Sequence, residues 1–297
     1  MSTKKVLVYG VLLIILGSII SSLGYFGFQE YQKFQNKKNI GQSISRNKEI
    51  LSNNGNQARK TINEITQNLN QASNSENNSQ NLLEENLAKL NQLQEVTGKS
   101  LSELDKGDNE DTQSVYELGQ KILQKRQIVF QNLNKITGDL ACVNSALSTS
   151  KTNFNSISAE LAKIDPADTS KLTDQIKTIN QNIDNSISNL AKIKDCSSDS
   201  NNPILANTEL EKIQRNIDIL QKIKDSLSSF SDAFNAKDVK KMDAATKGLK
   251  AVDVNQLTTA INAEVELSKF KNEIDELTEL EKEFNSKIEE ISQKYKL

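Results

Sequence analysis

Any chemistry in this protein must come from a short list of side chains. The 297 residues include no histidine and no tryptophan, only two cysteines (Cys142 and Cys196) and only four arginines (Arg46, Arg59, Arg126, Arg215). Without histidine no Ser-His-Asp or Cys-His relay can be built, and the commonest metal ligand is missing. Two cysteines alone cannot complete a tetrahedral zinc site, and their spacing is not Cys-x-x-Cys. No Gly-rich phosphate loop, Gly-x-Gly-x-x-Gly or Gly-x-Ser-x-Gly occurs. Acidic pairs such as Glu84-Glu85 and Glu289-Glu290 fall in charge-rich helical faces, where carboxylates are ordinarily solvated. Residues 105–111, Asp-Lys-Gly-Asp-Asn-Glu-Asp, hold the densest set of oxygen ligands. Their glycine and closing carboxylate are out of register for a calcium loop, so the segment reads as a loop and helix cap. The expectation is a protein that is not an enzyme, with no catalytic, cofactor-binding or metal-binding residues. A Ser-Lys mechanism and a two-carboxylate mechanism are the routes that composition alone leaves open.

The cysteines are the remaining candidates. Asp165-Pro166-Ala167-Asp168 reads as a tight turn and helix start, with Asp165 as cap and Pro166 in the first helical turn. Cys142 precedes that turn by 23 residues and Cys196 follows it by 28. In an antiparallel helical hairpin about the turn, the two lie within one or two helical turns of the same level. A disulfide between Cys142 and Cys196 is the expectation, and it implies an oxidising compartment. The competing reading is two free thiols in a reducing cytoplasm.

The elements that position these residues are helices. Beyond residue 40, apolar residues recur at steps of three and four, which is the helix period. Four runs carry the pattern. The first is Ile136, Leu140, Val143, Leu147, Phe154, Ile157, Leu161 and Ile164, with Ser150 at one polar step. The second runs from Leu172 to Ile193 and the third from Leu210 to Phe234. The fourth runs from Phe270 to Tyr295, with Glu281 interrupting it. The spacing predicts an all-α fold: an elongated, antiparallel, coiled-coil-like helical bundle. Breaks are expected at Asn53-Asn54-Gly55-Asn56, over residues 73–79, over 98–109 and between Asp195 and Asn202. Thr208 with Glu211 forms a capping-box pair, and Asp253 with Gln256 suggests the start of a last helix of about 44 residues.

Residues 6–28 contain no charge and include long aliphatic runs. As a helix they extend roughly 34 Å, enough to cross a hydrocarbon core. Tyr25, Phe26, Phe28, Tyr31 and Phe34 follow as an interfacial aromatic cluster. The expected organisation is a short tail (1–5), a transmembrane signal anchor (6–28), a membrane-proximal helical stalk (29–72) and a bundle domain (80–297). Lysines flank the span on both sides, so the cysteines, not the flanking charges, favour an extracytoplasmic domain.

Basic residues number 37 and acidic residues 39. That balance argues against a nucleic-acid partner, which selects a basic surplus. The partners expected are membrane lipid through the N-terminal span, and a protein partner or a second copy through the helix faces. The functional expectation is a membrane-anchored extracytoplasmic protein of the cell envelope. The alternatives are a ligand- or stress-sensing helical domain working with a separate membrane partner, and a cytoplasm-facing single-span scaffold.

Overall fold

A computed structural model describes residues 39–74, 79–164, 169–196, 205, 207–252, 257 and 267–297. Among them there are seven helices and no β-strand. They are α1 (Ile40–Asn74), α2 (Ser79–Glu103), α3 (Glu110–Ala162), α4 (Thr169–Cys196), α5 (Asn207–Asn235), α6 (Val239–Ala251) and α7 (Leu267–Tyr295). The helix period read from the sequence is thus realised along the described residues. The expected membrane span at 6–28, the Asp165–Asp168 turn and the Asp253–Gln256 helix start lie outside them. No helix among the described residues is long and apolar enough to cross a membrane.

The described residues divide into two compact units. Those up to Gly138 and the C-terminal helix form the first, and those within Asp139–Glu264 form the second. Helix α3 contributes to both. The sequence placed 29–72 as a stalk apart from a single 80–297 domain. In the structure α1 is instead part of the first unit, because Ile44 and Leu51 share one core with Val115, Leu118 and Ile122 of α3 and with Leu277, Phe284 and Ile288 of α7. An amphipathic helix of this length buries its apolar stripe against a neighbour rather than leaving it in water.

Side-chain bonds fix the relative direction of three pairs of neighbours in the first unit. Asn68 meets Asn86, Asn54 meets Thr97 and Asn47 meets Asp105, so α1 and α2 run antiparallel. Asn91 meets Asn134 and Gln94 meets the Phe130 carbonyl, so α2 and α3 do too. Asn132 reaches Glu273 while Asp111 reaches Lys294 and Tyr295, so α7 runs against α3. The result is a four-helix bundle.

Two expected breaks differ. Helix α1 passes through Asn53-Asn54-Gly55-Asn56 without interruption, because Asn54 is buried and bonded to other helices. Tertiary contacts there override the weak local propensity of Asn and Gly. Helix α2 persists to Glu103, leaving a loop of only 104–109. In that loop Asn47 of α1 both accepts from the Asp105 amide (2.7 Å) and donates to the Asp105 carbonyl (2.8 Å). Gly107 has φ +66°, and a Cβ there would run into the Thr112 hydroxyl. Asn109 caps α3 by accepting from the Thr112 amide at 2.9 Å.

The second unit packs α4 on α5 and α5 on α6, around a core that includes Ile157, Ile179, Ile183, Leu190, Leu220 and Phe230. Helix α5 ends in a Schellman turn: the Asp238 amide bonds the Ala233 carbonyl (2.9 Å) and the Lys237 amide bonds that of Phe234 (3.0 Å). Asp238 then caps α6 by accepting from the Lys241 amide. The turn requires a left-handed residue, and here it is Lys237, with φ 55°. An L side chain is strained in that conformation, whereas glycine is not. Replacing Lys237 by glycine is expected to stabilise the protein by about 0.5–1 kcal/mol in urea unfolding. A loss of stability in K237G relative to K237A would contradict the assignment of this turn.

Candidate functional site

Two clusters concentrate the chemically distinctive side chains, one in each unit. The first was anticipated. Cys142 on α3 and Cys196 at the end of α4 are bonded as a disulfide, with Cα atoms 6.1 Å apart. A second, independent contact supports the register. Ser156 of α3 accepts a hydrogen bond from Asn182 of α4 at 2.9 Å. From Cys142 to Ser156 is 14 residues forward (156 − 142), and from Cys196 to Asn182 is 14 back (196 − 182). Fourteen residues is close to four helical turns, so both pairs lie on the same face of an antiparallel hairpin. Buried Phe154, Ile157, Ile179, Ile183 and Leu190 fill the seam of this hairpin and its neighbours. The cross-link closes a loop of sequence separation 54, worth about 4 kcal/mol in the chain-entropy picture.

The second cluster was not anticipated as a unit. Arg126 is fully buried, with 0% exposure, in the middle of the first bundle. It sits four residues after Ile122 and three before Val129, at a core-facing position of α3. Its Nη2 donates to Glu281 Oε1 of α7 at 2.9 Å. Its Nη1 donates to the Leu51 carbonyl and to Asn54 Oδ1 of α1, both at 3.0 Å. Asn54 Nδ2 donates in turn to Thr97 Oγ1 (3.0 Å) and Ser100 Oγ (3.4 Å) of α2. The Thr97 hydroxyl donates to the Leu93 carbonyl at 2.8 Å. Five side chains thus connect all four helices through one polar layer. Arg126 Nε has no hydrogen-bond partner among the described residues.

Electrostatics follow from the burial. Loss of water pushes the Glu281 carboxyl above its ordinary range, while the Arg126 charge and hydrogen bond pull it back. Burial presses the Arg126 guanidinium downward, and Glu281 opposes that shift. Each charge is tolerable inside the bundle only because the other is there. At the end of the same bundle Asp111 accepts from Lys294 Nζ (2.7 Å) and Tyr295 Oη (2.8 Å), which hold its carboxyl below the usual carboxylate range.

A trace of the polar layer was present in the sequence. Glu281 marked the gap in the fourth apolar run, Asn54 sits between Leu51 and Ala58 at helix spacing, and Arg126 falls inside the α3 seam. A polar residue in each of three seams signals a buried layer. The segment 105–111 folds as a turn and cap: Asp105 Oδ1 accepts from the Gly107 amide, and Asn109 caps α3. No group of three or more potential metal ligands occurs among the described residues. Glu85 of the acidic pair Glu84-Glu85 bridges to Lys89, and Glu290 of Glu289-Glu290 to Lys287.

Neither known protein families, curated proteins nor solved structures show a significant match to this sequence. The geometry therefore has to carry its own interpretation. The polar layer touches nothing but its own bundle in the bonds described, an arrangement suited to fixing which helices pair and in what register.

That role has a measurable signature. Either Arg126→Met or Glu281→Gln leaves the other charge buried alone and is expected to cost about 3–5 kcal/mol in urea unfolding. The double variant Arg126→Met/Glu281→Met is expected to recover at least half of that loss. Strictly additive losses would show that the two side chains do not act as a pair.

Proposed function

We propose that this protein is a single-pass, membrane-anchored helical component of the cell envelope. Its helical units lie on the extracytoplasmic side and act by presenting helix faces to a protein partner or to a second copy, not by catalysis. The observation that carries this reading is the pairing of Cys142 with Cys196 in register with the Ser156–Asn182 contact. Such a cross-link persists in oxidising compartments and is rare in the cytoplasm. The uncharged residues 6–28 supply the tether, long enough for a bilayer core. The remaining sequence suits display. Exposed faces carry Asn, Gln, Lys and Glu, and the polar layer and disulfide hold the helices that present them.

Helix faces of this kind recognise partners through apolar anchors at helical spacing with charges around them. Among the described residues Ile128 (43%) and Val239 (72%) are the exposed large apolar side chains.

The topology is testable in intact cells. Protease added outside is expected to remove the helical part, and the unreduced protein is expected to be two hydrogens lighter than the reduced form. Protection of the helical part until lysis, or free thiols at both cysteines, would favour the cytoplasm-facing scaffold and overturn this reading.

A further inference from the structure

The polar layer holds one bond that its own residues can break. Asn54 is followed by Gly55, the only Asn–Gly pair in a sequence with 34 asparagines. In a mobile peptide such a pair loses ammonia without any catalyst, because glycine has no side chain to keep its backbone nitrogen from the amide carbon of the preceding asparagine. The Gly55 nitrogen attacks Asn54 Cγ and a new C–N bond forms. The bond between Cγ and Nδ2 breaks, and Nδ2 leaves as ammonia with the proton given up by Gly55. Water then opens the resulting five-membered succinimide at either carbonyl, leaving aspartate or isoaspartate.

Several features of the bundle oppose this reaction. Helix α1 is continuous here, so the Gly55 N–H points along the helix axis toward the Leu51 carbonyl and away from its neighbour's side chain. Asn54 is only 1% exposed. Its Oδ1 is held by Arg126 Nη1, and that same nitrogen bonds the Leu51 carbonyl, each at 3.0 Å. One guanidinium group therefore fixes both the group to be attacked and the carbonyl that engages the attacking N–H.

The layer also distinguishes amide from carboxylate. The Thr97 hydroxyl gives its hydrogen to the Leu93 carbonyl, so toward Asn54 it can only accept. An aspartate oxygen in place of Asn54 Nδ2 would face the Thr97 oxygen with no hydrogen between them, and would keep only the longer contact to the Ser100 hydroxyl, at 3.4 Å. It would also bring a second carboxylate to Arg126 beside Glu281.

We propose that Asn54 is a latent self-modification site gated by the Arg126 layer. It is silent while the first unit is closed. It converts to aspartate or isoaspartate when the unit opens, and the product cannot rebuild the layer. The modification would thus record opening of the bundle and prevent its return.

Peptide mapping of the full-length protein tests this, after incubation at mildly alkaline pH with and without urea. A gain of one mass unit at Asn54 is expected to accumulate in urea. In the native protein it should be at least about tenfold slower, since conversion follows the open population. Asn54→Asp is expected to unfold at lower urea than the parent, and Arg126→Gln to convert without urea faster than the parent does. Equal rates with and without urea, no conversion in urea, or an Asn54→Asp variant as stable as the parent would each overturn the proposal. The first comparison uses the unmodified sequence and does not depend on any variant folding.

Discussion

An arginine with no exposed surface dictates the organisation of the first unit. A guanidinium group cannot shed its charge, and moving it from water into a helical core costs several kcal/mol unless its donors are met. Arg126 meets those of its two terminal nitrogens with Glu281 from α7, Asn54 Oδ1 from α1 and the Leu51 carbonyl of the same helix, while Nε is left without a partner among the described residues. Sliding any one helix by a turn would leave a charge or an amide unpartnered in the interior. Apolar seams of Leu and Ile tolerate such slips, because one aliphatic contact replaces another. The polar layer therefore supplies the register that the apolar contacts alone leave loosely set.

The second unit meets a similar need by different means. Its helices pack through Ile, Leu and Phe, and the covalent link between Cys142 and Cys196 sets the alignment of α3 with α4. The same α3 therefore carries a charged lock in its first part and a cross-link in its second. Both devices oppose sliding of neighbouring helices. That fits the proposed reading of the protein as a holder of surfaces.

Much of this was legible in the residues. Steps of three and four from Ile136 to Ile164 and from Leu172 to Ile193 forced helices, and counting residues along the hairpin brought the cysteines together from spacing alone. Other features depend on distant sequence. Glu281 lies 155 positions from Arg126, and nothing local marks them as partners. Asn54-Gly55 carries weak helical propensity, yet Arg126 and Thr97 hold it in the middle of α1. The division into two units was hidden because α3 is periodic across Gly138, so no local signal marks where one core ends and the other begins.

Native-state hydrogen exchange on the intact protein addresses the registry claim most directly. If the Arg126 layer ties the four helices together, backbone amides near Asn54, Thr97, Arg126 and Glu281 will open with one shared free energy, close to that for unfolding the whole unit. Widely different opening energies at these four positions, with any of them exchanging at the level of frayed helix ends, would contradict it.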